Sequence, residues 1–221
     1  MAETRTVAFV TIGQSPRPDM VPEMLGWIGP GVAPIEAGAL DGLDRAAIAG
    51  LAPGPGEHLL ICRLDDGIEV VLGQRGIARR LQGLLDDLDA RGVFLVVVLC
   101  TGHFEGVRSK TLMVEAQRVV DHAVGALSED GRSVGVLLPL REQMTECALR
   151  SDGRRTVLYS HASPYSGDRL AEAARELAGA DLVVMHCMGY TEAMRRRVAA
   201  ITGKPVLLAR RVVADAVAQL L

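Results

Sequence analysis

The sequence predicts an α/β protein of two pseudo-symmetric lobes, each a mostly parallel sheet flanked by helices, with a cleft between them. The first observation is an apolar run over residues 93–99 that ends in Cys100-Thr101-Gly102. Apolar runs bounded by turn signals are typical of strands covered on both faces, which belong to parallel sheets. The second observation is that residues 95–102 return as residues 182–189, with five of eight positions identical. This repeat indicates an internal duplication.

The first lobe is predicted over residues 1–110 and begins with a buried strand at 6–12. Asp19 is expected to cap the helix that follows, because its carboxylate can accept hydrogen bonds from the first helical amides. An Asp-Gly pair between two apolar runs predicts a hairpin. The remaining elements predicted in this lobe are a strand at 33–37, a short helix at 44–51, hairpin strands at 58–63 and 68–72, and a helix at 74–89.

The second lobe is predicted over residues 111–208, and residues 209–221 are expected to form a terminal helix that packs back on the first lobe. A helix after each cysteine loop should point its positive N-terminus at the thiol. The first strands of the two lobes are 127 residues apart and the cysteines 87, so the first lobe carries 40 extra residues. The elements predicted are helices at 111–127, 142–150, 168–177 and beyond Tyr190, and strands at 133–138, 156–159, 181–186 and 205–208.

Composition excludes several classes of partner. The formal net charge is −3 and the pI about 6.0, so no basic surface favours nucleic acid or anionic lipid. No apolar segment is long enough to span a bilayer, and no signal peptide is recognisable. The four cysteines have no Cys-x-x-Cys spacing, and we expect them to be reduced thiols in the cytoplasm.

Cofactor and hydrolase motifs are also missing from the sequence. It has no glycine-rich dinucleotide or phosphate loop and no nucleophile elbow, and it has only two lysines for Schiff-base chemistry. We therefore expect no cofactor. One metal alternative stays open, a zinc site formed by Cys100, His103, His186 and Cys187, since two thiolates and two imidazoles can bind zinc.

The matched thiols Cys100 and Cys187 are the predicted catalytic residues. Ligands bind at the carboxyl ends of strands in open α/β sheets, which is where both cysteines lie. Two thiols on opposite faces of one carbon can remove a proton from one side and return it on the other, which is cofactor-independent racemisation. A small buried hydrophobe is the alternative explanation of each cysteine. Cys62 and Cys147 lie outside the repeat and are predicted to be structural.

Duplicated lobes with a cysteine after a central strand of each resemble the aspartate/glutamate racemase superfamily. The segment from Thr11 to Arg17 (Thr-Ile-Gly-Gln-Ser-Pro-Arg), with Asp19 and the Pro-Glu pair at 22–23, resembles the AroM family within it. The resemblance implies a racemase or isomerase acting on a small carboxylic or amino acid. Relatives include arylmalonate decarboxylases, maleate isomerases and hydantoin racemases, so decarboxylation and cis–trans isomerisation stay open.

A small carboxylate substrate needs convergent hydrogen-bond donors, because its charge must be stabilised at the site. His186 is a possible proton partner of Cys187. A metabolite-binding or regulatory protein without catalysis, and a homo-oligomer, stay open. The residues predicted to bind substrate are Thr11, Gln14, Ser15, Arg17, Thr101, Gly102, Gly189 and Tyr190.

Overall fold

The computed structural model describes residues 4–128, 131–152 and 155–221, and the chain divides into two compact units. Unit 1 comprises Met1–Gln117 and Ala214–Leu221, and unit 2 comprises Arg118–Val213. No helix within the described ranges is long and apolar enough to cross a membrane. The predicted α/β class with two lobes is confirmed.

Unit 1 is built on a parallel four-stranded sheet. Its elements are β1 (Arg5–Thr11), α1 (Val21–Ile28), β2 (Val32–Gly38), α2 (Arg45–Ala49), β3 (Leu59–Arg63), β4 (Glu69–Gly73), α3 (Gln74–Ala90), β5 (Leu95–Val98) and β6 (Met113–Glu115). The strand order is β2-β1-β5-β6, and β3 and β4 form a separate antiparallel hairpin. The predicted hairpin at 58–72 and the predicted helix at 74–89 are confirmed by β3, β4 and α3.

One face of this sheet packs against α3. Ile77, Leu81, Leu85 and Leu88 recur at helical spacing and are all buried, so the helix presents a continuous apolar stripe. They share one apolar cluster with the inward side chains of β1 and β5. Cys100 packs against the edge of the same cluster, which places its thiol at the carboxyl end of β5.

Unit 2 repeats this plan. Its elements follow α4 (Ala116–Leu127), which spans the boundary between the units, and are β7 (Ser133–Leu138), α5 (Gln143–Glu146), β8 (Thr156–His161), α6 (Leu170–Glu176), β9 (Leu182–Met185), α7 (Glu192–Thr202), β10 (Val206–Leu208) and α8 (Ala209–Ala218). The strand order is β10-β9-β7-β8, all parallel. This is the order of unit 1 with each strand replaced by its repeat.

The duplication extends to the pairing register. In unit 1, Val7 of β1 lies opposite Leu95 of β5, and in unit 2 Val134 of β7 lies opposite Leu182 of β9. Val134 follows Val7 by 127 residues and Leu182 follows Leu95 by 87, which are the spacings of the first strands and of the two cysteines. The sequence repeat is therefore a repeat of strand pairing.

Three predicted helical features are wrong. The predicted helix at 111–127 begins only at Ala116, because residues Met113–Glu115 pair with β5 as the short strand β6. No helix follows Cys100 before β6 in the described chain, whereas α7 does follow Cys187. The predicted helix at 142–150 shrinks to the single turn of α5.

The predicted cap of α1 is also wrong. Met20 occupies the N-cap position without a side-chain cap, and Asp19 instead accepts hydrogen bonds from Arg17. Asp44 does cap α2, by accepting a hydrogen bond from the amide of Ala47 at 2.8 Å. The carboxylate of Asp19 is thus used for charge pairing rather than for starting a helix.

Candidate active site

Cys100 lies at the carboxyl end of β5, where its half-buried thiol borders a small hollow of unit 1. Val98 of β5 lies opposite Glu115 of β6, so Glu115 leaves the sheet on the face that Val98 and Cys100 share. The hollow is lined by Leu81, Val98, Cys100, Gly102, Phe104, Val107, Met113 and Glu115. A thiol and one carboxylate therefore share an otherwise apolar environment.

The two cysteines make the same local contact. The amide of Gly102 donates to Sγ of Cys100 at 3.3 Å, and the amide of Gly189 donates to Sγ of Cys187 at 3.4 Å. A backbone N–H directed at sulfur favours the thiolate over the thiol, because the charged acceptor makes the stronger hydrogen bond. Both glycine amides were predicted to bind substrate, and the structure directs them at the sulfur atoms.

Neither glycine leaves room for a side chain. A Cβ at Gly102 would lie 2.5 Å from Cδ2 of Leu60, and a Cβ at Gly189 would lie 2.5 Å from the hydroxyl oxygen of Tyr165. The Gly189 position is the tighter one, because Cγ of Pro164 would also lie at 2.7 Å. Close packing explains why a glycine follows each cysteine by two residues.

Arg210, on the first turn of α8, is 1% exposed and reaches into the loop after Cys187. Its Nε and Nη2 donate to the carbonyl of Met188 at 3.0 and 2.9 Å, and Nη2 also donates to the carbonyl of Gly189 at 3.3 Å. These bonds fix the loop that presents Cys187 and place a positive charge in it. The sequence analysis assigned Arg210 no role.

His186 and Tyr190, the other predicted site residues of unit 2, have defined partners. His186 contacts Asp121 of α4, with 2.7 Å between Nε2 and the carboxylate. Tyr190 is fully buried and donates its hydroxyl to the carbonyl of Ala162 at 2.6 Å, and burial raises its pKa well above the usual value. A proton-partner role for His186 and substrate binding by Tyr190 stay predictions.

The loop after β1 is held by Asp41. Its carboxylate accepts hydrogen bonds from the amide of Ser15 at 2.7 Å, the hydroxyl of Ser15 at 2.5 Å and the amide of Gly38 at 2.7 Å. A Cβ at Gly38 would lie 2.5 Å from the carbonyl oxygen of Gly13, so the loop approaches the end of β2 at a distance that only glycine allows. The peptide bond between Ser15 and Pro16 is cis.

Arg17 is buried at the same edge of the sheet. Its Nε and Nη2 form two hydrogen bonds to the carboxylate of Asp19, each 2.8 Å, and Nη1 donates to the hydroxyl of Thr11 at 3.2 Å. Gln14 accepts a hydrogen bond from the amide of Asp65, which ties the loop to the hairpin turn. The structure thus brings together Thr11, Ser15 and Arg17, and it leaves Thr101 half-buried beside Cys100.

A second sequence repeat identifies the residues that the sequence analysis missed. Residues 116–127 match residues 209–220 at seven of twelve positions, and these segments form α4 and the region of α8. By this offset Arg210 corresponds to Gln117, and Leu208 to Glu115. The signal was present in the sequence, but its spacing differs from that of the cysteines, so a search at 87 residues does not find it.

The other two cysteines, Cys62 and Cys147, and the predicted zinc site remain to be placed. All four cysteines lie within the described residues and are free thiols. Burial raises the pKa of Cys147 to about 11, and Cys62 is buried in the apolar cluster of unit 1. Across the described residues no group of three or more His, Cys, Asp or Glu side chains is placed to hold a metal ion.

Comparison with known proteins adds a family and a fold. The sequence profile of one family, described as AroM protein, matches residues 7–221. A comparison with curated protein sequences gives no match.

Three solved structures share the fold at low sequence identity. Unliganded arylmalonate decarboxylase has a TM-score of 0.60 at 14% identity, covering 98% of this chain and 92% of its own. The maleate isomerase of Pseudomonas putida S16 has a TM-score of 0.55 at 16% identity, covering 96% and 91%. The aspartate racemase of Picrophilus torridus has a TM-score of 0.56 at 9% identity, covering 98% and 94%.

Proposed function

Because the chain belongs to the AroM family, as the match over residues 7–221 shows, and shares its fold with enzymes of three reaction types, we propose that it is a cofactor-independent racemase or isomerase. Its substrate is a small carboxylic or amino acid. Cys100 and Cys187 are its proton-transfer groups. Enzyme activity enters here as a proposal, because a fold hosts many functions and the site must argue for one.

The observation that carries the proposal is the matched environment of the two thiols. Each ends an equivalent strand, and each sulfur accepts a hydrogen bond from the amide of the glycine two residues later. Core packing alone does not require a donor aimed at the sulfur in both repeats. Two sulfur atoms with the same backbone donor suit a reaction whose forward and reverse directions use the same chemistry from opposite sides.

The proposed reaction is a two-base proton transfer. One thiolate takes the α-proton of the substrate, which leaves an enediolate, and the other thiol returns a proton to the opposite face. The negative charge that develops on the carboxylate oxygens requires donors nearby. We assign this task to the edge formed by Thr11, Gln14, Ser15 and Arg17, together with Thr101.

The deciding experiment follows the α-proton. The protein is incubated in deuterium oxide with a panel of small carboxylic and amino acids, and loss of the α-proton signal is measured by NMR. Wild type is expected to exchange the proton of at least one substrate, and Cys100→Ser and Cys187→Ser are each expected to lower the rate at least about 100-fold. Cys62→Ser and Cys147→Ser are the matched controls and should keep the rate.

Three outcomes would contradict the proposal. Exchange that persists in the double variant Cys100→Ser/Cys187→Ser would show that the thiols are not the proton carriers. A ligand that stabilises the wild type against heat, without exchange and equally in the double variant, would indicate a metabolite-binding protein. Release of carbon dioxide from a dicarboxylic substrate would assign the site to decarboxylation instead.

A further inference from the structure

Two-thiol proton transfer requires the two sulfur atoms to carry different charges at the start of a turnover. At the start of a turnover one sulfur must be a thiolate to accept a proton, and the other must be a thiol to donate one. We infer that Arg210 and Glu115 set these states in the resting protein, with Cys187 as the thiolate and Cys100 as the thiol. The catalytic meaning of this inference rests on the proposed function, but the charge states can be measured in the protein alone.

The two repeats differ in charge at equivalent positions beside the cysteines. In unit 1 the positions are occupied by Glu115 and Gln117, and in unit 2 by Leu208 and Arg210. At these equivalent positions, therefore, unit 1 has a carboxylate and unit 2 a guanidinium. The offset of 93 residues that relates both pairs is the one that relates α4 to α8.

Arg210 provides the positive field at Cys187. Its guanidinium is buried and donates to the carbonyls of Met188 and Gly189, the two residues after Cys187, at 2.9 to 3.3 Å. A nearby Arg lowers the pKa of a thiol, because it stabilises the charged form in a site that little water reaches. Arg210 does not touch the reacting atoms, so it is a positioning residue that acts through the loop.

Two carboxylates near the Cys187 loop have partners of their own, and a buried tyrosine there is uncharged. Asp121 is hydrogen-bonded to His186, and Glu192 at the start of α7 pairs with Arg195 and Arg196. Tyr190 is neutral at physiological pH, because burial raises its pKa, and the hydroxyl of Tyr165 lies beside Gly189. The N-terminus of α7, capped by Thr191, adds a partial positive charge after the same loop.

The charged neighbour of Cys100 has the opposite sign. Glu115 shares its hollow, where Leu81, Phe104 and other apolar side chains displace water. A carboxylate in such a place disfavours a second negative charge, which keeps the sulfur protonated. His103 and Glu105 also lie after Cys100, but both side chains are exposed and 3.8 Å apart, so solvent screens their charges.

These resting charge states determine which cysteine takes the α-proton and which one returns a proton in the first turnover. The lone pair on Sγ of Cys187 forms a new S–H bond with the α-proton, while the C–H electron pair passes into the enediolate. The S–H bond of Cys100 then breaks as its proton joins the opposite face of that carbon. Cys187 leaves as a thiol and Cys100 as a thiolate, and transfer of one proton to and from water resets the pair.

The test measures thiolate formation at each cysteine separately. Cys62→Ala/Cys147→Ala is combined with Cys100→Ser or with Cys187→Ser, and the ultraviolet absorbance of the thiolate is followed against pH. The midpoint for Cys187 is expected to lie at least about one pH unit below that for Cys100, which is a tenfold difference in thiolate fraction. Arg210→Gln should raise the Cys187 midpoint, and Arg210→Lys should restore it.

Variants in unit 1 keep the test decisive if substitution of the buried Arg210 prevents folding. Glu115 and Gln117 are half-buried, and Glu115→Gln and Gln117→Arg are each expected to lower the Cys100 midpoint. A Cys100 midpoint at or below that of Cys187 would overturn the inference, as would midpoints that stay unchanged in Arg210→Gln, Glu115→Gln and Gln117→Arg. Absence of α-proton exchange with the midpoints as expected would overturn the proposed function alone.

Discussion

At the scale of single residues, the turn after each cysteine is the feature that links packing to chemistry. Gly102 and Gly189 bring their amides to the sulfur atoms because neither carries a side chain to hold the chain away. The hydrogen bond and the close approach therefore have one cause. Each cysteine therefore needs a glycine two residues later for its sulfur to receive this hydrogen bond.

The two glycines differ in what a methyl group would meet, and this gives a matched pair of substitutions. At Gly189 it would meet the hydroxyl end of Tyr165 and the ring of Pro164, which resist movement. Gly189→Ala is expected to cost about 1–3 kcal/mol of unfolding free energy, as overpacking does. At Gly102 it would meet the tip of Leu60, a flexible side chain, so Gly102→Ala should cost less. Urea unfolding of both variants measures the difference, and an equal or reversed order would contradict it.

The repeat of residues 95–102 predicted the cysteines as site residues and left Arg210 unassigned. Cys100 and Cys187 stand out because they recur in a repeated strand, and repetition is visible in a sequence. Arg210 gains its importance from the carbonyls of Met188 and Gly189, which lie more than twenty residues earlier in the chain. Contacts between distant segments follow from the fold, so composition and local spacing do not reveal them.

At the scale of elements, short segments account for the wrong predictions. Met113–Glu115 is a three-residue strand that continues directly into α4, and its sequence has the composition of a helix. It is a strand because parallel pairing with β5 satisfies its backbone, a tertiary effect that outweighs local propensity. Long elements such as α3 were predictable, because seventeen residues carry several turns of apolar spacing.

Helix α7 gives a prediction about pH. Hydrogen bonds from Arg195 and Arg196 lower the pKa of Glu192 from its ordinary value of 4.5 to about 2. Because the folded state holds the carboxylate charged, its contribution to stability is complete above pH 4.5 and is lost as the pH falls towards 2. In Glu192→Gln this part of the pH dependence should disappear. Urea midpoints of both proteins between these pH values provide the measurement, and parallel curves would contradict the assignment.

At the scale of the whole molecule, the boundary between the two units falls within helix α4 and again within helix α8. Most of α4 belongs to unit 2, whereas Ala214–Leu221, which includes the end of α8, belongs to unit 1. Val124 of α4 and Val217 of α8 are equivalent positions and both are fully buried. Val124 lies in the part of α4 that belongs to unit 2, and Val217 in the part of α8 that belongs to unit 1.

This division of the helices predicts that Val217→Ala destabilises unit 1 and that Val124→Ala destabilises unit 2. Val217→Ala and Val124→Ala should each cost about 2 kcal/mol, from lost apolar burial and the cavity left behind. In amide hydrogen exchange, Val217→Ala should weaken protection first in β1 and β5, and Val124→Ala first in β7 and β9, since units open separately. Equal loss of protection in both sheets after either change would show that the units open as one.

The hairpin of β3 and β4 has a consequence for how the proposed substrate-binding loop after β1 can vary. The hairpin lies outside the four-stranded sheet, and none of the described strands of unit 2 corresponds to it. Yet Gln14 binds the amide of Asp65 in its turn, and the loop at Gly13 packs against Cys62 of β3. Changes in the length or sequence of the hairpin can therefore alter the loop after β1 while every strand of the duplicated sheets keeps its register. Under the proposed function, substrate selectivity can diverge there without a new fold and without a change at either cysteine.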